Sequence, residues 1–304
     1  MHLIEIPERE LKFSVPEDLS ECNVEQYINL SGLMYKYQNG LSLHEFLIQA
    51  TYYLLNLEKK ESDDEEIELH KHSNINQVSE LFLSFFEEVA FEDKKALQIK
   101  LYFMHNPIPS FKGALKNYYG PSDNMQNTTF GEYVDALDPY EDFHETKDIK
   151  YLYRLLAIFY RPKRADYLSV KKLFSFSGDK REPYNPNQVS RLAGIFEVQH
   201  IGIVYGFYLF FASFQRYITT AKAYVQGKEI DFSILFDDTL GKKVKQSDVP
   251  GIGMRSMMYS MAESGVFGEL EKVRNTPFWE MYLRFYDIRK RDLDMQANEP
   301  VKKD

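Results

Sequence analysis

The run IGIVYGFYLFFASF, residues 201–214, constrains this chain more than any other stretch. It carries no charge, and its only polar side chains are two tyrosines and a serine. Such a segment has to leave water. A membrane-spanning helix needs about 20 apolar residues, and Gln199-His200 and Gln215-Arg216 close this run at both ends. The pattern therefore predicts a buried core helix, within a long helix or a broken pair spanning roughly 187–226.

A second apolar stretch, YLYRLLAIFYRP (151–162), is shorter and holds Arg154 in its middle. It reads as a helix with apolar residues around most of its circumference, capped by Thr146 and stopped by Arg161-Pro162. With 44% hydrophobic and 27% charged residues, the 304-residue chain can bury a sizeable core. Its 22 Tyr and 23 Phe suit both cores and protein–protein interfaces. A net charge of −9 argues against coating nucleic acid by whole-molecule attraction. The single cysteine, Cys22, excludes an intramolecular disulfide framework and a Cys-based zinc site. The lone cysteine fits an intracellular, reducing setting, and the amino terminus has no basic stretch followed by a long apolar one, so no signal peptide is expected.

The expected fold class is mainly α with a small α+β amino-terminal part, and a helical bundle after residue 129. Residues 1–110 are expected to form the α+β unit, 129–296 a helical domain and 297–304 a polar tail. HLIEIPERELKFSV reads as two short strands around Pro7-Glu8-Arg9, with Leu3, Leu11 and Phe13 toward the core. Asn23 with Gln26 and Ser42 with Glu45 are capping boxes, opening helices that run to Asn39-Gly40 and to about Leu57. The charged segment 58–74 reads as an exposed, mobile loop, and 75–90 as a third helix. ALQIKLYFM (96–104) alternates as a strand and could pair with the amino-terminal ones. Thr129-Phe-Gly-Glu132 is a further capping box, 163–185 is basic and irregular, and 227–250 is a polar connection. From Gly251 to about Gln296 come two or three helices, the last begun by Thr276-Pro277.

Catalytic signatures are sparse. His70-Lys-His72 beside Asp63, Asp64, Glu65 and Glu66 has metal-ligand chemistry but sits in a stretch read as loop. Gly251-Ile-Gly-Met-Arg lacks the third glycine of a dinucleotide fingerprint and the Gly-Lys-Ser/Thr of a P-loop. Ser175-Phe-Ser-Gly-Asp lacks nucleophile-elbow spacing, and the Asp138/Glu141 pair is ordinary for a helix end. No catalytic residue, metal or cofactor is expected. The segment 161–172 interleaves Lys163, Arg164, Lys171 and Lys172 with Tyr167 and forms a candidate basic patch for phosphate or single strands. MRSMMYSM (254–261) offers adaptable apolar surface.

Two segments carry a family resemblance. TFGEYVDALDPYEDF…KDIKYLYRLLAIFYRP resembles a pattern in structural and assembly proteins of tailed bacteriophages. There a Thr-Phe-Gly-Glu helix precedes a hydrophobic helix ending in Tyr-Arg-Pro. GMRSMMYSMAESGVFGELEKVRNTPFWEMYLRF is similar to a second element of such proteins, a Gly-x-Phe step leading to a TP(F/L)WE helix. The resemblance is closest to tail-assembly-chaperone-like proteins, covers about a third of the chain and leaves out residues 1–110. It implies a non-enzymatic binding role, holding a tail component or sitting in the virion. It also implies other phage proteins, or further copies, as partners, in the host cytoplasm or the particle. The interface candidates are Phe130, Tyr133, Tyr153, Met257, Met258 and Trp279. An intracellular hydrolase or nucleotide-binding enzyme with a site assembled only in three dimensions, and a nucleic-acid accessory protein using 161–172, are the alternatives.

Overall fold

A computed structural model describes residues 1–6, 10–59, 63–91, 94–113, 116–173, 178–225, 227–236 and 252–298. The fold is mainly α with a minor β part. In chain order it begins with β1 (His2–Ile6), β2 (Leu11–Val15), α1 (Val24–Gln38), α2 (Leu43–Leu54) and α3 (Glu65–Ser79). A 3-10 turn leads to β3 (Phe86–Phe91) and β4 (Lys94–Ile99), then β5 (Ser110–Lys112) and β6 (Asn117–Tyr119). Next come α4 (Phe130–Thr146), α5 (Ile149–Phe159), β7 (Arg161–Pro162), α6 (Tyr167–Val170), α7 (Val189–Phe196) and α8 (Ile201–Thr220). The chain continues through β8 (Lys222–Val225), β9 (Lys228–Asp231), α9 (Met254–Glu263), α10 (Leu270–Asn275) and α11 (Phe278–Asn298). Among the described residues no helix is long and apolar enough to cross a membrane.

The apolar run lies within α8, which is buried from Val204 to Phe214. His200 starts it, Nδ1 accepting from the Gly202 amide at 3.1 Å. The expected long helix or broken pair is a broken pair, α7 and α8. Helix α1 lies against α8 so closely that a Cβ at Gly202 would fall 1.8 Å from the Ile28 carbonyl oxygen. Tyr27 reinforces the seam by donating to the Gly206 carbonyl at 2.7 Å. Ser213 holds the passing chain on another side, bonding both the amide and the carbonyl of Phe103. The rings of Phe207, Phe210, Phe211 and Phe214 are buried among other aromatics, and each contributes about 1.5–3 kcal/mol by leaving water. One buried cluster extends from Val15 to Phe285.

Several expectations need correction. Most of the charged segment expected as a loop is the start of α3. Asp64 caps it, accepting from the Glu66 and Ile67 amides, and Glu65, Glu66 and Glu68 complement the positive helix end. Helix α3 stops at Ser79, where 75–90 was expected to be helical. The residues that follow form a 3-10 turn (Glu80–Phe85) and then β3, which pairs β4 in register Phe86↔Ile99 to Phe91↔Lys94. The strand expected to join the amino-terminal ones therefore takes the adjacent partner, which costs less loop closure. It ends at Ile99, with Leu101 and Phe103 beyond it. In the β1–β2 ribbon Leu3 is 63% exposed, whereas Ile4 and Val15 face the core. Thr146 ends α4 and does not cap α5. Lys147 adopts a left-handed φ of 59°, and Asp148 caps α5. A β8–β9 hairpin replaces the end of the 187–226 helix and the start of the polar connection. Pro7, Glu8 and Arg9, Ser175 to Ser177, Gly251 and the tail from 299 lie outside the described residues.

Candidate functional site

The start of α4 is where three distant segments meet. Thr129 and Glu132 form the expected capping box, at 2.7 and 3.3 Å. The same backbone pairs with the start of α11: the Phe130 amide donates to Thr276 at 2.8 Å and the Phe278 amide to Thr128 at 2.9 Å. A Cβ at Gly131 would lie 3.0 Å from the Cβ and the carbonyl oxygen of Arg274, so the glycine admits α10. Glu132 is itself buried, and its second oxygen accepts from Arg161. Arg161 also donates to the carbonyls of Glu182 and Ile158, both at 2.7 Å. Arg181, whose side chain is 0% exposed, stands 3.7 Å from Glu132. It donates to Asp179 and to the carbonyls of Phe159 and Asn127. Tyr184 lies under the Arg161 guanidinium and donates at 2.8 Å to Asp135, which also takes Arg274. Both buried guanidiniums keep their charge. Their donors are spread over carboxylates and carbonyls, so this cluster is a closed structural knot.

A second polar region, on another side of α8, is open. A cleft of about 750 Å³ lies between α8, α4, the end of α1 and the β3–β4 hairpin. Tyr37, Tyr140, Tyr205 and Tyr208 supply aromatic walls, and Leu97, Gln98 and Ile99 of β4 also line it. Arg216 latches the hairpin to α8, donating to Glu87 and to the Tyr102 hydroxyl at 2.6 Å each, with its guanidinium over the Tyr102 ring. Burial pushes the Glu87 carboxyl up, but hydrogen bonds from Tyr102 and Arg216 outweigh it and hold the group below the usual range. His144 Nε2 lies 3.0 Å from the Tyr208 hydroxyl. Burial, and then Lys147, lower the His144 pKa. Burial also raises Tyr208 and lifts Tyr140 to about 12, with Glu141 adding to the latter. These phenols therefore stay protonated at neutral pH.

Two buried polar atoms of the cleft residues have no partner among the described residues: the Tyr205 hydroxyl and Gln215 Nε2. Gln215 Oε1 accepts from Tyr133 at 3.2 Å, which fixes the amide and leaves its NH₂ free. Thr219, the cleft's hydroxyl nearest a nucleophile in type, is turned to the Gln215 carbonyl at 2.9 Å. The cleft thus presents rings and hydrogen-bonding groups suited to binding.

The sequence-predicted interface residues separate. Phe130, Tyr133 and Met258 are buried and pack the core, Phe130 against Phe285 and Tyr133 against Phe278. Trp279 is half-buried, its indole donating to the Asn124 carbonyl at 2.7 Å. Tyr153 is half-buried. Met257 is 38% exposed and lines a groove of about 310 Å³ beside Phe285 and Arg289. Of the basic segment, Arg164 pairs with Asp166 at 2.6 Å, and Lys163 lies over the Tyr167 ring at 4.2 Å with Lys171 at 5.7 Å. Lys171 and Lys172 are exposed. His70 and His72 are exposed and stand near Glu66 and Glu68 on α3. Among the described residues no group of three or more His, Cys, Asp or Glu could hold a metal ion. Burial, then Asp18 and Glu21, push the Cys22 thiol up to about 12, which leaves it unreactive.

Sequence reasoning found Glu132 only as a cap and missed Arg181, Asp179 and the whole cleft. The signal for Glu132 was its setting, a carboxylate inside an otherwise apolar turn. The chain matches no family model, no curated protein and no solved structure.

Proposed function

We propose that this chain is a non-enzymatic binding protein of tailed-phage assembly, acting as a tail-assembly chaperone or as a component of the virion. One observation carries the reading. The Thr-Phe-Gly-Glu, Tyr-Arg-Pro and Thr-Pro-Phe-Trp-Glu pieces of the resemblance, scattered over half the chain, converge in the knot at the start of α4. Thr129 faces Pro277, Gly131 admits Arg274, and Glu132 holds Arg161. Residues that depend on one another in space support a shared framework better than separate matches do. The open tyrosine cleft supports binding as the work done on that framework. The acidic balance favours basic partners.

The test is genetic. Disrupting the gene in the replicon that encodes the chain, with and without a complementing copy, should abolish infectious particles and leave tails unfinished. Mass spectrometry of purified particles then separates a virion component, which is present, from a chaperone, which is absent. Undiminished titre, or a gene set among metabolic ones, would overturn the reading.

A further inference from the structure

We propose that the tyrosine cleft receives an extended, cation-bearing polypeptide segment of a partner protein, which adds a strand along the free edge of β4. The inference rests on the binding role proposed above and names the occupant of its site.

Three observations carry it. First, β3 and β4 form a two-stranded sheet, so β4 keeps one edge unpaired among the described residues. Leu97, Gln98 and Ile99 all line the cleft. Val89 of β3 lines the cleft as well, so the cleft lies against the hairpin, with three consecutive residues of β4 in its wall. An edge beside a cleft offers backbone donors and acceptors spaced for an incoming strand.

Second, the cleft walls are aromatic: Tyr37, Tyr140, Tyr205 and Tyr208 line it. The apolar side chains of an incoming strand can cover these rings.

Third, the α4 side of the cleft carries several carboxylates, with Lys147 at the end of that helix. Tyr140 and His144 line the cleft from α4, and Glu141, Asp142 and Glu145 stand next to them on the same helix. None of the three is matched by a cation among the described residues, whereas Asp138 takes Arg255. Burial and then Asp138, Glu145 and Asp142 raise the Glu141 pKa, so these carboxylates crowd one another without relief. The cleft's own cation, Arg216, is committed to Glu87. A lysine or arginine on the incoming segment would relieve that crowding and stack on the tyrosine faces.

The probe is a short labelled synthetic peptide alternating valine and lysine, titrated onto the full chain by fluorescence anisotropy. A valine–glutamate counterpart should bind at least about tenfold more weakly, and N-methylation at alternate residues should abolish binding by removing backbone donors. Amide exchange should slow across residues 95–99. Leu97→Arg, at an exposed cleft-lining position, should weaken binding about tenfold with an unchanged melting temperature, while Val24→Arg, exposed elsewhere, should not. Equal affinity for the two peptides, binding indifferent to Leu97→Arg, or protection at another site would overturn the proposal. In the complementation experiment, a Leu97→Arg copy should fail where the wild-type copy succeeds. If gene loss matters and Leu97→Arg restores it fully, the cleft proposal falls and the assembly role stands. If gene loss has no effect, the assembly role falls and the peptide titration alone judges the cleft.

Discussion

The knot at the start of α4 and the cleft on another side of α8 both bring polar groups into aromatic surroundings, yet they differ in how those groups are used. In the knot Glu132, Arg161 and Arg181 are almost fully withdrawn from water, and carboxylates and backbone carbonyls take their charge and donors. Behind the cleft wall a hydroxyl and an amide nitrogen are withdrawn equally well and find no partner among the described residues. Saturated polar groups specify a fold, while the open aromatic wall around the second set is free to cover something else. The difference separates framework from site without any catalytic motif.

The sharpest way to break the comparison is Glu132→Gln. It leaves two buried guanidiniums short of their central carboxylate, and unfolding by denaturant should show a loss of about 3–5 kcal/mol. A loss below about 1 kcal/mol would mean that the knot is not what holds α4. Gly202→Ala should come next, costing about 3 kcal/mol, because the new methyl group meets the Ile28 carbonyl and must push α1 from α8. The cleft's opposite character predicts that Tyr205→Phe is neutral or stabilising by up to about 1 kcal/mol, since it removes a buried hydroxyl without a partner. A clear destabilisation would place a hidden partner on that oxygen. The smallest effect concerns pH. His144 has its folded pKa below its unfolded one, so the unfolded chain takes up the proton first. Stability should therefore fall as pH drops below about 6.5, and His144→Gln should flatten that part of a melting-temperature profile.

Much of the fold could be read from local chemistry. Asn23, Ser42 and Thr129 start helices because a side-chain oxygen three residues before a free amide is a local fact. The length of the 201–214 run and its polar ends define a buried helix without tertiary information. Helix α3 escaped notice because its capping and charge pairs carry it without an apolar stripe. The β3–β4 pairing escaped because Phe82, Phe85 and Val89 fit helical spacing as well as a turn followed by a strand. The cleft could not be read at all: Tyr37, Gln98, Tyr140 and Gln215 become neighbours only after four elements pack. Of the interface candidates, Phe130, Tyr133 and Met258 share composition with binding residues but are core, because aromatic and sulfur-bearing side chains serve both uses.

The backbone pairing of Thr129 with Pro277 also sets a schedule. The Phe130 and Phe278 amides donate hydrogen bonds to Thr276 and Thr128, partners roughly half the chain away, so the first turn of α4 stays open on a growing chain until the start of α11 has been made. Contacts of such long sequence separation form late and slowly. Until then the apolar faces of α4, α5 and α8 lack their final cover, a condition that exposes a nascent chain to aggregation. The first turn of α4 can be closed only once residues 276–278 have been made.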